Sequence, residues 1–132
     1  MHRELTINRE AIDEAQLVSR RQMAPHLGAA LYFTGVVRDL EQSNPIAGID
    51  YEAFSEMAQR QFGLIFDEVE QRWPIHAVRL VHRIGIVRVN EASLWLEVLA
   101  PHRGEAFAAC QFIVEERKKR VPIWKRAIPK QI

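Results

Sequence analysis

The sequence is poor in the residues and runs that mark several common classes of protein. Cysteine occurs once, at Cys110, so neither an internal disulfide nor a cysteine-rich zinc site can form in one chain. No apolar run approaches the roughly 20 residues that a membrane-spanning helix needs, and the charged N-terminal segment MHRELTINRE is unlike a signal peptide. The 18 basic and 17 acidic residues nearly balance, whereas a general nucleic-acid binder is usually strongly basic. We therefore expect a protein of a reducing, cytoplasmic setting.

Common cofactor and metal motifs are also missing. The five histidines show no metal-ligand spacing. There is no G-x-G-x-x-G, no P-loop and no G-x-S-x-G motif. What the chain does have is 48% hydrophobic residues in a length of 132, enough to build a core. We predict that residues 1–132 form a single domain without a metal site.

The apolar patterns predict an α+β fold. Strands are predicted over residues 2–8, 29–37, 49–54, 76–84, 93–99 and 123–128. Helices are predicted over 13–23, over 55–73 with Ser55 as its N-cap, and over 103–120. A loop over 39–47 and turns at Gly85 and at Asn90-Glu91 are expected to connect them. This order favours a largely antiparallel sheet with two main helices over a strict βαβ repeat.

Lysine is confined to the last 15 residues, at Lys118, Lys119, Lys125 and Lys130. Random placement among the basic positions would put all four there only about 1% of the time. Residues 117–132 contain no acidic residue. One interpretation is a solvated basic segment. The other is a site for an anion that needs amines, because a desolvated amine can act as a base or nucleophile whereas arginine cannot.

Helical spacing distinguishes the two lysines of the last predicted helix. Phe107, Cys110 and Val114 form an apolar stripe at positions i, i+3 and i+7, and Lys118 follows at position i+11. Lys118 is therefore predicted to extend the core-facing stripe, while Lys119 turns toward solvent. The alternative is a lysine that packs only its stem and keeps its amine in water. Lys125 follows Trp124, whose packing would fix its position, and the alternative is an exposed strand lysine.

Three further cations are candidates for binding a phosphate. His102 and Arg103 open the last predicted helix, where free backbone N–H groups and the helix dipole favour an anion. Arg38 ends a predicted strand. The alternatives are a capping or surface histidine, and an ion pair of Arg38 with Asp39 or Glu41.

Two other titratable residues are predicted to be structural. His82 shares a strand face with Val78 and Leu80 and is interpreted as a hydrogen-bonded core histidine. Cys110, within the apolar stripe, is interpreted as inert packing.

Short motifs along most of the chain resemble one family. In the first half they are Gly28-Ala29-Ala30, Phe33-Thr34-Gly35-Val36-Val37-Arg38 and Tyr51-Glu52-Ala53-Phe54. In the second half they are Arg72-Trp73-Pro74, His82-Arg83-Ile84-Gly85, Ala100-Pro101-His102-Arg103 and Pro122-Ile123-Trp124-Lys125-Arg126. Each motif is weak alone. Together they cover residues 28–126 in order, and with this spacing the chain resembles the large, catalytic subunit of molybdopterin synthase.

The resemblance implies an α/β hammerhead fold and a homodimer that binds two small ubiquitin-like subunits, forming a heterotetramer. It implies that cyclic pyranopterin monophosphate becomes molybdopterin by transfer of two sulfurs from the thiocarboxylate on the small subunit's C-terminal Gly-Gly. No cofactor is then required, because the sulfur arrives on the partner. The family's two catalytic lysines match Lys118 and Lys125, and its substrate-binding residues match Arg38, His102 and Arg103. Family members commonly continue beyond the Trp-Lys-Arg segment, so substrate contacts from that extension are expected to be missing.

Two other functions are compatible with the residues alone. The first is a non-catalytic anion- or RNA-binding module that uses the basic C-terminal segment, for which steep salt dependence of RNA binding is expected. The second is a purely structural dimer without a ligand.

Overall fold

The computed structural model describes residues 1–130, which form eight strands and three helices. In chain order these are β1 (His2–Asn8), α1 (Glu14–Ser19), β2 (Ala29–Val36), β3 (Leu40–Glu41), β4 (Asn44–Ala53), α2 (Ser55–Arg72), β5 (Ala77–Arg83), β6 (Gly85–Arg88), β7 (Ala92–Ala100), α3 (Arg103–Arg120) and β8 (Ile123–Pro129). The predicted mixed fold with two main helices, α2 and α3, is confirmed. No helix in the described range is both long enough and apolar enough to cross a membrane.

The strands form two sheets, and most of the pairings are antiparallel, as predicted. The first sheet has the order β1-β5-β7-β2, in which only β1 and β5 run parallel. In the second sheet β4 is paired with β6 and β8, and β3 forms a hairpin with the start of β4. The strand β2 has a partner on one side only. One edge of the first sheet therefore leaves its backbone groups free for pairing.

The main core lies between α2, α3 and one face of the first sheet. Its fully buried large side chains include Phe62, Ile65 and Phe66 of α2, Leu80 of β5, Leu96 of β7 and Ile113 of α3. Burying side chains of this size contributes about 1.5–3 kcal/mol each. A smaller cluster of Val37, Ile46, Ile49 and Val87 stabilises the second sheet. The main cluster therefore packs the last helix against the first sheet.

Two predicted connections are wrong because they contain strands. Residues 39–47 include β3 and the start of β4, joined by Gln42 and Ser43, which both have positive φ. Two such residues make the tight turn that matches the twist of a hairpin, although this pair lacks the usual Asn-Gly signature. Gly85 is the first residue of β6 instead of a turn, and its φ of +83° suits glycine. Asn90, also at positive φ, confirms the second turn.

Two predicted helix boundaries also need correction. The helix α2 has Phe54 at its N-cap with no side-chain cap, so Ser55 is the first helical residue and not the cap. The helix α1 is shorter than the predicted 13–23, since it ends at Ser19. Its N-cap is Asp13, whose carboxylate accepts a hydrogen bond from the Gln16 backbone at 3.1 Å. This bond supplies one of the partners that the first helical turn lacks.

A buried ion pair lies on the face of the first sheet opposite α2 and α3. Arg79 contacts Glu97 through two hydrogen bonds, Nε to Oε1 at 2.6 Å and Nη2 to Oε2 at 2.7 Å. Arg79 also donates to the carbonyl of Leu17 in α1 at 2.8 Å, and the Tyr32 hydroxyl donates to Glu97 at 2.7 Å. Glu97 is only 1% exposed. The pair therefore ties α1 to the sheet and is largely shielded from bulk water.

Removing the buried acid is expected to destabilise the protein strongly. Glu97→Ala leaves the Arg79 guanidinium buried without its carboxylate, which costs about 3–5 kcal/mol in the free energy of unfolding. Urea denaturation measures this loss. The matched control is Glu4→Ala, because Glu4 lies 3.9 Å from the same guanidinium but is exposed, so we expect less than about 1 kcal/mol. Equal losses from the two variants would contradict a structural role for the buried pair.

Candidate functional site

The face of α3 that packs on the core is not the predicted one. The buried residues of this helix are Ala106, Ala109, Cys110 and Ile113. Phe107 is 60% exposed, and Lys118 is exposed as well. The alanines let α3 approach the sheet closely, so small residues mark the inner face and the larger Phe107 lies outside it. The prediction that Lys118 extends a core-facing stripe is therefore wrong.

Lys118 instead continues an exposed apolar face of α3. Phe107 and Val114 line an open groove of about 420 Å³ between α3 and β2, together with Leu31 and Phe33 of the strand. Lys118 follows Val114 by one helical turn, so its side chain lies on the same side of the helix. The groove runs beside the free edge of β2. Lys118 thus lies at one end of an apolar surface. A partner could pack on the exposed side chains of this surface and pair with the free edge of β2.

Lys125 lies on β8 and is held by an acid from the β3 hairpin. Its Nζ is 3.0 Å from Oε1 of Glu41, and its side chain is 54% exposed. Glu41 was one of the two predicted partners of Arg38. Arg38 is exposed, and no carboxylate among residues 1–130 lies within 4.0 Å of it. The interpretation of Arg38 as one half of a surface ion pair is therefore not supported.

His102 and Arg103 lie at the start of α3, as predicted. His102 is the N-cap residue, but its side chain makes no capping hydrogen bond. Its Nδ1 is 3.6 Å from a carboxylate oxygen of Glu105, and both His102 and Arg103 are exposed. The backbone N–H groups of the first turn are thus left for water or an anion.

The fold separates the five predicted site residues into two groups. Strands β2 and β7 are antiparallel, with Ala29 opposite Ala100. His102 and Arg103 therefore follow the end of β7, whereas Arg38 follows β2 at the opposite end of the same pair. The helix α3 is continuous from Arg103 to Arg120, so at 1.5 Å per residue it places Lys118 about 22 Å from Arg103. One chain by itself does not bring these two residues to one small substrate.

A buried polar cluster that the sequence did not suggest lies near Lys118. Nη1 of Arg117 donates to Nε2 of His82 at 3.3 Å, so Nδ1 carries the ring proton and donates to the Arg83 carbonyl at 2.9 Å. His82 is 0% exposed. Its pKa is lowered to about 4, first by burial and then by the Arg117 cation. His82 is therefore neutral and hydrogen-bonded, which confirms its interpretation as a core histidine.

Tyr51 connects this cluster to the second sheet. Its ring packs edge-on against His82 with centroids 5.5 Å apart, and its hydroxyl donates to Oγ of Ser93 at 3.3 Å. In the pairing of β4 with β8, Tyr51 lies directly opposite Lys125. Side chains of directly opposed residues share one face of a sheet. Tyr51 is therefore flanked by Lys125 on one side and by the His82–Arg117 contact on the other.

Arg117 could have been found from the correct helical stripe. It follows Ile113 by one turn on the inner face of α3, where Ala106 and Ala109 begin the stripe. An arginine after three small or apolar inward positions indicates a buried cation rather than a solvated one. Burial lowers the pKa of Arg117. Arg117 is not among the predicted site residues because the predicted apolar stripe lies one position later along α3.

The described residues hold no cluster that fits a metal ion: residues 1–130 contain no group of three His, Cys, Asp or Glu side chains arranged to bind one. Cys110 is free and buried, and burial raises the pKa of its thiol, which agrees with inert packing. A further cavity of about 470 Å³ lies on the other face of the first sheet, around the Arg79–Glu97 pair. Within it Arg79 is paired with Glu97, and it contains none of the five predicted site residues.

Comparison with known proteins identifies a single family. A family profile described as MoaE protein matches residues 7–120. The molybdopterin synthase catalytic subunit of Thermoplasma volcanium is 37% identical over 122 residues, which are 92% of this chain and 88% of the relative. That of Staphylococcus carnosus is 38% identical over 104 residues, 79% of this chain and 69% of the relative. The crystal structure of molybdopterin synthase from Staphylococcus aureus superposes with a TM-score of 0.86 at 31% identity, covering 96% of this chain and 92% of that one.

Proposed function

Because this chain belongs to the MoaE protein family, we propose that it is the catalytic subunit of a molybdopterin synthase. It converts cyclic pyranopterin monophosphate to molybdopterin with two sulfurs from the thiocarboxylated tail of a small ubiquitin-like subunit. The observation that carries this proposal is the family match over residues 7–120, which includes α3 and the strands that support it. Relatives described as catalytic subunits favour an enzyme over an RNA-binding module. The proposed setting is the cytoplasm, which agrees with the free Cys110.

The two lysines have different surroundings, which suits different roles. Opening the cyclic phosphate and expelling oxygen require proton transfers, and Lys118, which has no ion-pair partner among residues 1–130, is the proposed acid–base group. Lys118 is exposed in the free chain, so a docked tail or a second subunit must remove it from water. Lys125 is the proposed electrostatic group, which exchanges Glu41 for the thiocarboxylate or for the developing charge.

The substrate phosphate is assigned to the three remaining cations. His102 and Arg103 combine an imidazole and a guanidinium with the free N–H groups of a helix start, and Arg38 supplies a second guanidinium. Arg38 lies at the same end of the first sheet as Lys118, whereas His102 and Arg103 lie at the other end. A complete site therefore needs His102 and Arg103 from a second copy of the chain.

The apolar groove is the proposed contact between the two copies. Phe33 and Phe107 expose aromatic surface there, and β2 leaves one edge unpaired. Burying this surface against an identical copy would satisfy the free edge and would remove water from Lys118. In a two-fold dimer the start of α3 in one subunit can lie beside the end of α3 in the other. The two-fold axis repeats this arrangement, so it occurs twice. Two equal sites result, each with Lys118 of one subunit and Arg103 of the other.

The direct test of the proposed function is product formation with the small subunit. Incubation of the chain with a thiocarboxylated small subunit and the cyclic precursor is expected to yield molybdopterin, detected by its fluorescent oxidation product. Deletion of the small subunit's last two glycines is expected to remove the product and weaken the complex, because those residues carry the sulfur. The control is the full-length small subunit with an ordinary carboxylate, which should bind but give no product. Undiminished product with the truncated partner would rule out its role as sulfur donor.

A further inference from the structure

Arg117 is a largely buried cation without an acidic partner. No carboxylate among residues 1–130 lies within 4.0 Å of its guanidinium, and its one hydrogen bond is donated by Nη1 to the neutral His82. Its Nε is buried and has no hydrogen-bond partner. A buried cation is normally paired, since the loss of hydration otherwise disfavours it. An unpaired guanidinium in this position indicates that its partner is an anion from outside the chain.

The unoccupied part of Arg117 is the part best suited to a carboxylate. Arg79 shows the arrangement, because its Nε and Nη2 bind the two oxygens of Glu97 at 2.6 and 2.7 Å. In Arg117 the same edge, Nε and Nη2, makes no hydrogen bond within the described residues, while His82 holds Nη1. His82 thus fixes the orientation of the guanidinium and leaves its two-donor edge for a planar anion. Because Nε is shielded in the free chain, contact with both donors requires the groups that cover Nε to move aside when the anion enters.

Arg117 is adjacent in sequence to Lys118, and Tyr51 links it to the strand pair that carries Lys125. It precedes Lys118 on α3, and the Tyr51 hydroxyl is close enough to raise its pKa, partly offsetting the effect of burial. Tyr51 is directly opposite Lys125 on the neighbouring strand. Arg117 therefore lies in the wall between the last turn of α3 and β8, where an extended tail that reaches both lysines must end.

We propose that Arg117 binds the carboxylate-type group at the end of the sulfur-donor tail and thereby positions it between Lys118 and Lys125. This inference rests on the proposed function. The anion that fits is planar, singly charged and has two acceptor atoms, as in a carboxylate or thiocarboxylate. A guanidinium edge can also bind a phosphate, but the exposed cations Arg38, His102 and Arg103 are already assigned to the phosphate of the substrate. Arg117 is thus a donor-binding residue, separate from the residues assigned to the pterin phosphate.

A binding cycle tests this assignment on the full chain. The small subunit is prepared in two forms, one ending in a Gly-Gly carboxylate and one ending in the Gly-Gly amide, and the Kd of each is measured by calorimetry. The wild-type chain is expected to prefer the carboxylate form by at least about tenfold, as a hydrogen-bonded charge pair implies. In Arg117→Met this preference should fall at least about threefold, to the part that Lys118 and Lys125 provide, with the Kd of the amide form unchanged. If Arg117 had a purely structural role, Arg117→Met would weaken the binding of both forms equally and leave the ratio of their Kd values unchanged.

Matched variants separate charge from folding. Lys119→Met removes a neighbouring cation that contacts Glu116 and faces solvent, and it should keep the full preference. Arg117→Gln retains a donor for His82 without the charge, so a folded Arg117→Gln chain must show the same loss as Arg117→Met. An undiminished carboxylate preference in folded Arg117→Gln overturns the inference. The inference is also overturned if Arg117→Gln, but not Lys119→Met, abolishes inhibition of product formation by inorganic phosphate. That result would assign Arg117 to the substrate phosphate.

The same cycle distinguishes this inference from the proposed function. If the wild-type chain binds neither form of the small subunit and makes no product, the proposed function itself is wrong. If it binds and makes product while Arg117→Gln keeps the full carboxylate preference of the wild-type chain, only the role of Arg117 is wrong.

Discussion

Lys118→Ala is expected to abolish molybdopterin formation, with kcat lowered at least about 100-fold, because it removes the proposed proton-transfer group. The fold should remain intact. Lys118 is exposed in the last turn of α3 and makes no ion pair within residues 1–130. Surface substitutions of this kind change the free energy of unfolding by about 0.5 kcal/mol or less. Single-turnover kinetics with the thiocarboxylated partner measure the first effect, and urea denaturation measures the second.

The neighbouring lysine provides the control for this experiment. Lys119 lies about 100° round the helix, is exposed and is 3.6 Å from a carboxylate oxygen of Glu116. Lys119→Ala should therefore leave kcat within about twofold of the wild-type value, since the effect of an exposed charge on a distant reaction is small. Equal losses from Lys118→Ala and Lys119→Ala would contradict a specific role and would favour a diffuse basic surface.

Mixing two inactive variants is expected to restore activity if the site is shared between subunits. Arg103→Ala and Lys118→Ala each remove one proposed half of the site, and about 22 Å of helix separates the two positions in one chain. In a mixed dimer one site carries both substitutions and the other carries neither. Each mixed dimer should thus regain about one working site of two, and random exchange of equal amounts gives about a quarter of wild-type activity.

Subunit exchange must be shown independently for this experiment to decide the question. Native mass spectrometry of differently labelled subunits gives the fraction of mixed dimers. Recovery in proportion to that fraction would support a shared site. No recovery in a sample of proven mixed dimers would show that Arg103 and Lys118 do not act together, since α3 is continuous between them.

The sequence predicts the elements best where a strong local signal ends them. The helices α2 and α3 are predicted to within a residue, because Pro74 and Pro122 stop them and their length exceeds four turns. The β3 hairpin is missed because its turn residues, Gln42 and Ser43, carry no propensity for positive φ. Only pairing with the rest of the sheet stabilises such a turn, and that pairing is not encoded locally.

The predicted site residues illustrate the same limit. Lys118 and Lys125 are identifiable from spacing and resemblance, but the exposure of Lys118 depends on which face of α3 meets the sheet. That face is decided by Ala106 and Ala109, whose small size permits close packing although a hydrophobic pattern gives them little weight. Glu41 reaches Lys125 only because the second sheet brings the β3 hairpin near β8. Contacts between residues so far apart in sequence follow from the fold alone.

The parallel pairing of β1 with β5 has a consequence for how the chain folds during synthesis. His2 pairs with Ala77, about 75 residues further along the chain. At the roughly 5–20 residues per second of translation, about 4–15 seconds pass between the synthesis of β1 and that of its partner β5. During this interval Leu5 and Ile7, which pack against the main core in the finished fold, have no core to bury them. The strand β1 is therefore synthesised long before it can be fixed in place, and closing so long a loop makes its docking a slow step in folding.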